Sequence, residues 1–519
     1  MQKINILFTL LASVACASTS IENPKRIDKI QFDGVAQNDE LVQELSPLLS
    51  ELPLSSDSAE ALSSAVAAFY REHDGLRVAA SVLEEDASTR VVISPEKLGK
   101  VNIKDAQYAQ PENLRKWVRL KPSEPINEET LTADLGWINT NPYRTVKAEY
   151  QTTEKPGVTD LDLVVKDKKN WKILSGVENT GNAPIGTTRV YTGFNVNDFI
   201  FTDHTLTLKA TTTDHYKDYQ QIKAEYMAPL PWRNTLKIAG SYSGTSPNRE
   251  PYPQKHRKSF EAVGRYIIPQ WFGSNPWVDQ ITYEVGADFK GSNTNIFFED
   301  EATPVQNKLA FIGQFAAAAN AVRKRGDTKL TANLDLVGSP GRMLPHQTEA
   351  DFNNLREGAT PLYLYSKLGL AIEQALDHGW SLFLQGRGQF AFADLIPSEQ
   401  FSLGGFSTVR GYDERVVNGD NAVCANLEIR TPEFPLAGYW APKFADKINF
   451  LGFVDGGYAW YRSEIPGTPA DQGLLSFGPG VRYSVASYFT SRFDVGFPVL
   501  KVEKDSGNAH VHFSAALSY

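Results

Sequence analysis

Arg410 is the residue whose type and setting most invite chemistry. It stands in Leu403-Gly-Gly-Phe-Ser-Thr-Val-Arg-Gly-Tyr-Asp413, a run of glycines, small residues and aromatics with no helical period. A guanidinium can donate two parallel hydrogen bonds to one carboxylate, and the pair is strong where water is partly excluded. Buried without such a partner it is very costly. Glycines at 404, 405 and 411 permit backbone angles and close approaches that a side chain forbids. The segment reads as a loop folded back into a protein interior and pinned there by Arg410. The bland alternative is a solvated arginine at the tip of a long outer loop.

Bond-making chemistry has no comparable signal. The chain has no His-Glu-x-x-His, Gly-x-Ser-x-Gly or P-loop pattern. The eight histidines are scattered, and His510 and His512 share a strand face without forming a ligand set with cysteines. No catalytic residue, metal or cofactor is expected. Arg325-Gly-Asp327 falls in a short turn, and its likeness to an adhesion tripeptide reads as chance. Glu299-Asp300-Glu301 reads as a solvated loop cluster.

The elements that would position Arg410 follow from the rest of the chain. A chain of 519 residues exceeds one ordinary core, so two or more domains are expected. Residues 1–17 have a positive start, an apolar run and a small-x-small end, the pattern of a secretory signal peptide cut after Ala17. Cys16 could be misread as a lipoprotein site, but Ser13 stands where a leucine is usual. Cleavage leaves Cys424 as the one thiol, read as a small residue on a strand face. A net charge of −9 and no Lys/Arg stripe argue against nucleic acid. No later window is long and apolar enough for a membrane helix.

Residues 26–94 and 97–168 repeat one β-α-α-β-β pattern. The first copy places strands at Asp28–Phe32, Leu76–Leu83 and Thr89–Ile93, with helices near 39–50 and 57–73. The second places strands at Leu98–Ile103, Tyr143–Gln151 and Asp160–Val165, with helices near 111–120 and 127–139. From Trp171 to Tyr519 helical periodicity fades and alternation takes over, giving about 16 strand candidates, the even count of a bacterial transmembrane barrel. Gaps after odd strands are long (244–258, 290–307, 338–359, 391–419) and gaps after even strands are mostly short. The gap 431–446 breaks that rule. In His510–Tyr519 the apolar residues sit at 511, 513, 515, 517 and 519, so one face suits lipid and the other a wet lumen. A soluble β-sandwich with extra sheets is the competing reading.

These residues together resemble the transporters of two-partner secretion, the TpsB or hemolysin secretion/activation family. Those are relatives of the outer-membrane barrel-assembly proteins, built as two periplasmic POTRA domains and a 16-stranded barrel. The resemblance rests on the two repeats, on Asn141-Pro-Tyr-Arg-Thr-Val146, and on the hairpin Gly176–Arg189. It rests also on Gly404-Gly-Phe-Ser-Thr-Val-Arg-Gly-Tyr412 and on Leu451-Gly-Phe-Val-Asp-Gly-Gly457. It implies an α+β POTRA pair, 26–94 and 97–168, followed by a transmembrane antiparallel β-barrel over 171–519 with the loop 391–419 folded inward. It further implies a VRGY loop of Val409, Arg410, Gly411 and Tyr412, received by Asp455 beside Phe453 on strand 13. Glu428 is the rival or third member of that cluster. Phe513, Leu517 and the terminal Tyr519 resemble an assembly signal.

The resemblance implies a bacterial outer-membrane translocator that exports an unfolded, adhesin- or hemolysin-like exoprotein after capture by the POTRA units. Other partners implied are outer-membrane lipid, lipopolysaccharide and the barrel-assembly machinery during biogenesis. The first rival is an assembly or insertion factor of the same superfamily, though such proteins more often carry three to five POTRA units. A solute porin is the second rival, but porins lack POTRA domains. One departure from the family pattern is expected. Only about eight residues separate Ala17 from the first repeat, too few for the plug helix that many members carry. The resting pore would then be closed by loops alone.

Overall fold

The computed structural model describes residues 27–33, 35, 63–64, 66–71, 74–85, 88–182, 185–246, 255–273, 275–296, 306–441, 444–464, 467–502, 505 and 507–519. The signal-peptide stretch, the first repeat's helix near 39–50 and Glu299-Asp300-Glu301 lie outside the described residues. The chain divides into two compact units: Met1–Lys169 with Trp271–Asp279, and Asn170–Gln270 with Gln280–Tyr519.

The first unit holds two three-stranded sheets of one topology. In each, the last strand in sequence is central, parallel to the first and antiparallel to the second. Ser88–Pro95 lies between Ile27–Phe32 and Val78–Glu85. Val158–Asp167 lies between Lys97–Lys104 and Arg144–Thr152. In the second repeat the helices run Pro111–Lys116 and Glu128–Ile138. The longer one starts where the Asn127 side chain accepts the N–H of Thr130 (2.7 Å), meeting one of the donors a helix start leaves orphaned. Its inward face carries Leu131, Asp134, Trp137 and Ile138, at helical spacing. Leu131 and Ile138 join Leu114, Leu161 and Leu163 in the core. Asp134 is fully buried and accepts both the backbone N–H and the Nε–H of Arg119, each at 2.7 Å.

Asn141-Pro-Tyr-Arg forms the turn from that helix into an edge strand. The Asn141 side chain accepts the N–H of Tyr143 (2.9 Å), and Arg144 Nε donates to the carbonyl of Ile138 (3.2 Å). Asn139 pairs with the backbone of Val146 through both ends of its amide (2.7 and 3.0 Å). Val146 therefore turns its backbone polar groups away from the central strand. By alternation Ala148 and Tyr150 do the same, leaving N–H and C=O groups aimed off the sheet edge.

The second unit is one closed barrel of 16 antiparallel strands in sequential order, sealed where Ser514–Ser518 pairs with Glu178–Leu174. The strands begin at 171, 189, 205, 219, 235, 255, 280, 306, 328, 362, 381, 421, 446, 471, 489 and 510. Alternation decides which way each side chain points. On Asn421–Arg430, Val423, Leu427 and Ile429 are exposed outward, whereas Cys424, Asn426 and Glu428 are buried on the lumen side. Leu517 and Tyr519 face outward on the last strand, and His512 is buried on the other face. Among the described residues no helix is long and apolar enough to cross a membrane.

Two connections hold more structure than their composition suggests. The segment between Thr328–Pro340 and Leu362–Ala375 contains the helix Glu349–Leu355, closed by a capping box between Thr348 and Asp351. The inward loop is itself a hairpin, Phe401–Leu403 against Val417–Gly419. The irregular gap before strand 13 is shaped by Asp446, whose carboxylate collects the N–H groups of Leu436, Ala437 and Gly438 at 2.8–3.0 Å.

Candidate functional site

The hairpin Phe401–Gly419 carries Val409-Arg-Gly-Tyr412 into the lumen, where Leu403, Val409 and Tyr412 are wholly buried. Burial there is apolar packing on the wall. Leu403, Val409 and Val417 sit in one cluster with Cys424, Ala459 and Leu474 from strands 12 to 14. Glycine is needed at three places along this path. Gly404, Gly405 and Gly411 have φ of +101°, +95° and +93°, where side chains are strained. At Gly411 the backbone also lies against Gly496. A Cβ on residue 496 would come within 2.4 Å of the Gly411 nitrogen.

Arg410 ends in a cage of acids. Its Nε and Nη2 donate to the two carboxylate oxygens of Asp455 (2.6 and 2.8 Å), and its Nη1 donates to Glu428 (2.7 Å). Asp494 lies 3.6 Å away. The backbone N–H of residue 410 adds a third bond to Asp455 (3.1 Å), and the guanidinium carbon sits 3.6 Å from the centre of the Phe453 ring. Glu428 is thus the third member of the cluster, alongside Asp455. Arg430, Arg482 and Arg492 compensate the remaining acid charge: Arg430 bonds Glu428 (2.7 Å), and the other two bond Asp494 (2.7 and 2.6 Å).

The neighbouring loop groups are held as well. The Gly411 N–H donates to Nε2 of His512 on the last strand (3.0 Å). The Tyr412 hydroxyl lies 2.8 and 2.7 Å from the carbonyls of Leu475 and Leu500 and accepts the N–H of Leu475 (3.2 Å). Arg387 donates to the carbonyl of Ser407 and Arg492 to that of Phe406. Within the loop, Glu414 accepts the N–H of Phe406 (2.6 Å) over Gly405. Burial pushes the Glu414 carboxyl up to about 7, against the Phe406 N–H that stabilises its charge.

Sequence reasoning missed Asp494, His512, Arg387, Arg492 and Gly496. The signal available for them was alternation: Arg387 shares parity with Gln389 on strand 11, Arg492, Asp494 and Gly496 share parity on strand 15, and His510 and His512 on strand 16. Phe513, Leu517 and Tyr519 lie on the opposite parity and take no part in the cluster.

Residues 282–483, which span the loop and both its principal acid partners, match the family model of the haemolysin secretion/activation protein ShlB/FhaC/HecB. This part of the chain is similar to that family of two-partner secretion transporters. A heme/hemopexin transporter protein, HuxB of Haemophilus influenzae, is 20% identical over 87% of this chain and 78% of its own length. An outer membrane transporter, CdiB of Dickeya dadantii, is 28% identical over 22% of this chain and 18% of its own. CdiB from Escherichia coli has the same fold, with a TM-score of 0.75 over 98% of this chain and 95% of that one at 14% identity. BamA from Haemophilus ducreyi lacking POTRA domains 1–3 shares the fold more loosely, with a TM-score of 0.54 over 96% and 100% of the two chains at 15% identity. The barrel and the POTRA-like repeats place the protein in the bacterial outer membrane, with the repeats in the periplasm. Both barrel ends, Trp171 and Tyr519, then lie at the periplasmic rim, and the loops after odd-numbered strands face outward.

Proposed function

We propose that this transporter exports an unfolded, adhesin- or hemolysin-like exoprotein, and that the hairpin bearing Val409, Arg410, Gly411 and Tyr412 is its gate. The observation carrying this reading is the Arg410 cage. A loop that enters a barrel and buries the Arg410 guanidinium against Asp455 and Glu428 has a deep resting place. Leaving it requires a competing interaction, which a threading chain supplies. Capture begins at the POTRA edges. The strands Val78–Glu85 and Arg144–Thr152 both lie at sheet edges, and the second presents the outward backbone groups of Ala148 and Tyr150 to an added strand. No nucleotide drives the step; folding of the exoprotein outside the cell makes it directional.

The test is deletion of the gene followed by comparison of culture supernatant with outer-membrane proteome. Loss of one large secreted protein with the membrane proteome unchanged is expected. Depletion of many barrel proteins would instead assign the chain to membrane-protein assembly.

A further inference from the structure

Outer loops of the barrel meet in a second buried cluster, built from different residues. Loop 341–361 is not a solvated strap. Its Gln347 side chain bonds both the carbonyl and the N–H of Gly313 on the eighth strand (3.1 and 3.2 Å) and reaches Ser339 (2.9 Å). Its helix Glu349–Leu355 sinks Phe352, fully buried, into an apolar cluster with Ile312, Tyr363, Tyr365 and Leu395. The last of these belongs to the gate loop.

Immediately after that helix comes Arg356, which is 7% exposed and donates through both terminal nitrogens to Asp420, which is 0% exposed. Asp420 sits at the far root of the gate loop. Its carboxylate also accepts the N–H of Leu395 (2.9 Å) and of Arg462 (3.0 Å), so four donors converge on it. Arg356 further donates to the carbonyl of Leu395 (2.6 Å) and lies over the Tyr461 ring at 5.1 Å. Three outer loops, 341–361, 392–420 and 461–470, therefore meet at one buried carboxylate. On the other shoulder of the gate loop, Glu399 takes Lys290 (3.0 Å) and Tyr365 (2.9 Å) from the wall.

We propose that Arg356–Asp420 is an exit latch, and that Arg356 and Asp420 are gating residues for transport in addition to the Arg410 cage. This rests on the reading of the lumen as the export path. A buried pair adds little net stability against an apolar substitute, but it holds one geometry, because breaking it from either side exposes an uncompensated charge. That property suits a mouth that must be shut or open, with nothing gained by partial opening. The polarity strengthens the case. The gate loop offers a cation at depth, Arg410, and anions at its two shoulders, Glu399 and Asp420. An emerging chain must lift loop 341–361 and part Arg356 from Asp420, whereas a released Arg410 alone leaves the mouth shut.

The test uses the full-length protein in planar bilayers, with Arg356→Met and Asp420→Asn as separate variants. A third variant replaces 342–358 by a short glycine-serine turn, so that an answer is obtained even if a point variant fails to insert. Folding and insertion are checked by heat-modifiable mobility and surface abundance. Each inserted variant is expected to raise mean conductance at least fivefold, and cells carrying it to become at least fourfold more sensitive to a large antibiotic that the outer membrane excludes. Parent-like conductance in the inserted variants overturns the latch. Exoprotein in the supernatant of the parent is followed in parallel. If the parent secretes and the variants conduct like it, the latch alone fails. If the variants open as expected but the parent secretes nothing, the export reading fails.

Discussion

Arg410→Ala should leave the barrel inserted and cripple export, and the structure says why this side of the cluster is the sensitive one. The change removes two bonds to Asp455, one to Glu428, and the attraction of Asp494 at 3.6 Å. Glu428 keeps Arg430, and Asp494 keeps Arg482 and Arg492. Asp455, 0% exposed, keeps only the backbone N–H of residue 410 among the described residues. A buried charge stripped of its partner costs about 3–5 kcal/mol. At 1.4 kcal/mol per decade that lowers the docked-to-undocked ratio of the loop roughly a hundred- to several-thousand-fold. Asp455→Asn is milder, because Arg410 still has Glu428 and Asp494 and the asparagine oxygen still accepts. A loss of about 1–3 kcal/mol is expected there. The assay is exoprotein in the supernatant per copy of transporter at the surface. Export by Arg410→Ala equal to that of the parent at matched surface abundance would refute the reasoning. An Asp455→Asn variant more damaged than Arg410→Ala would refute the accounting of charges behind it.

Three further outcomes are expected. Gly496→Ala touches no charge yet places a methyl 2.4 Å from the Gly411 nitrogen, so the loop must lift. An overpacking cost of about 1–3 kcal/mol and greater protease cutting in 401–419 should follow, and parent-like protection would count against the docked pose. Glu414, with Arg189, Glu178 and Arg415 around it, is raised from its ordinary 4.5 to about 7 on docking, so the docked loop binds the proton more tightly than the free one. Docking is then strongest below about 4.5, weakens as pH rises to about 7, and is flat above. Protease cutting of the loop should rise across that window and lose its pH dependence in Glu414→Gln. On the POTRA edge, Ala148→Pro deletes an outward N–H and should lower exoprotein capture with the fold kept, whereas Lys147→Pro breaks the ladder to Val164 and should unfold the unit. Equal capture by Ala148→Pro and parent would remove that edge from the account.

The barrel was legible in the sequence because lipid on one side and water on the other impose a two-residue alternation that local composition cannot hide. Strand starts near 259, 278 and 308 fall at Lys255, Gln280 and Gln306 in the structure. The error lies in length. These three strands run 17, 17 and 20 residues, more than a bilayer needs, and beyond the membrane their outer positions lose the apolar signal that marks a strand. Helix Glu349–Leu355 left almost no trace, since a seven-residue helix with one buried residue, Phe352, has no readable period. The gate divides in the same way. Arg410, Asp455 and Phe453 were legible from motif and parity. Asp494 and His512 were not, because many inward residues share their parity and only the depth of the loop selects among them. Arg356 and Asp420 were hidden for a related reason: their pairing joins two loops whose meeting no periodicity records.

The most direct test of the central claim is a cross-link between loop and wall. A Cβ built on Gly457 lies 3.1 Å from Cγ2 of Val409, close to where a sulfur would sit, and Cys424 is the register partner of Gly457 on the adjacent strand. Val409→Cys with Gly457→Cys in a Cys424→Ala background should therefore form a disulfide in the assembled protein. Export should stop under oxidation and return on reduction. Failure of the cysteines to join, or undiminished export by the joined protein, would contradict an Arg410-bearing loop that rests in the lumen and must move.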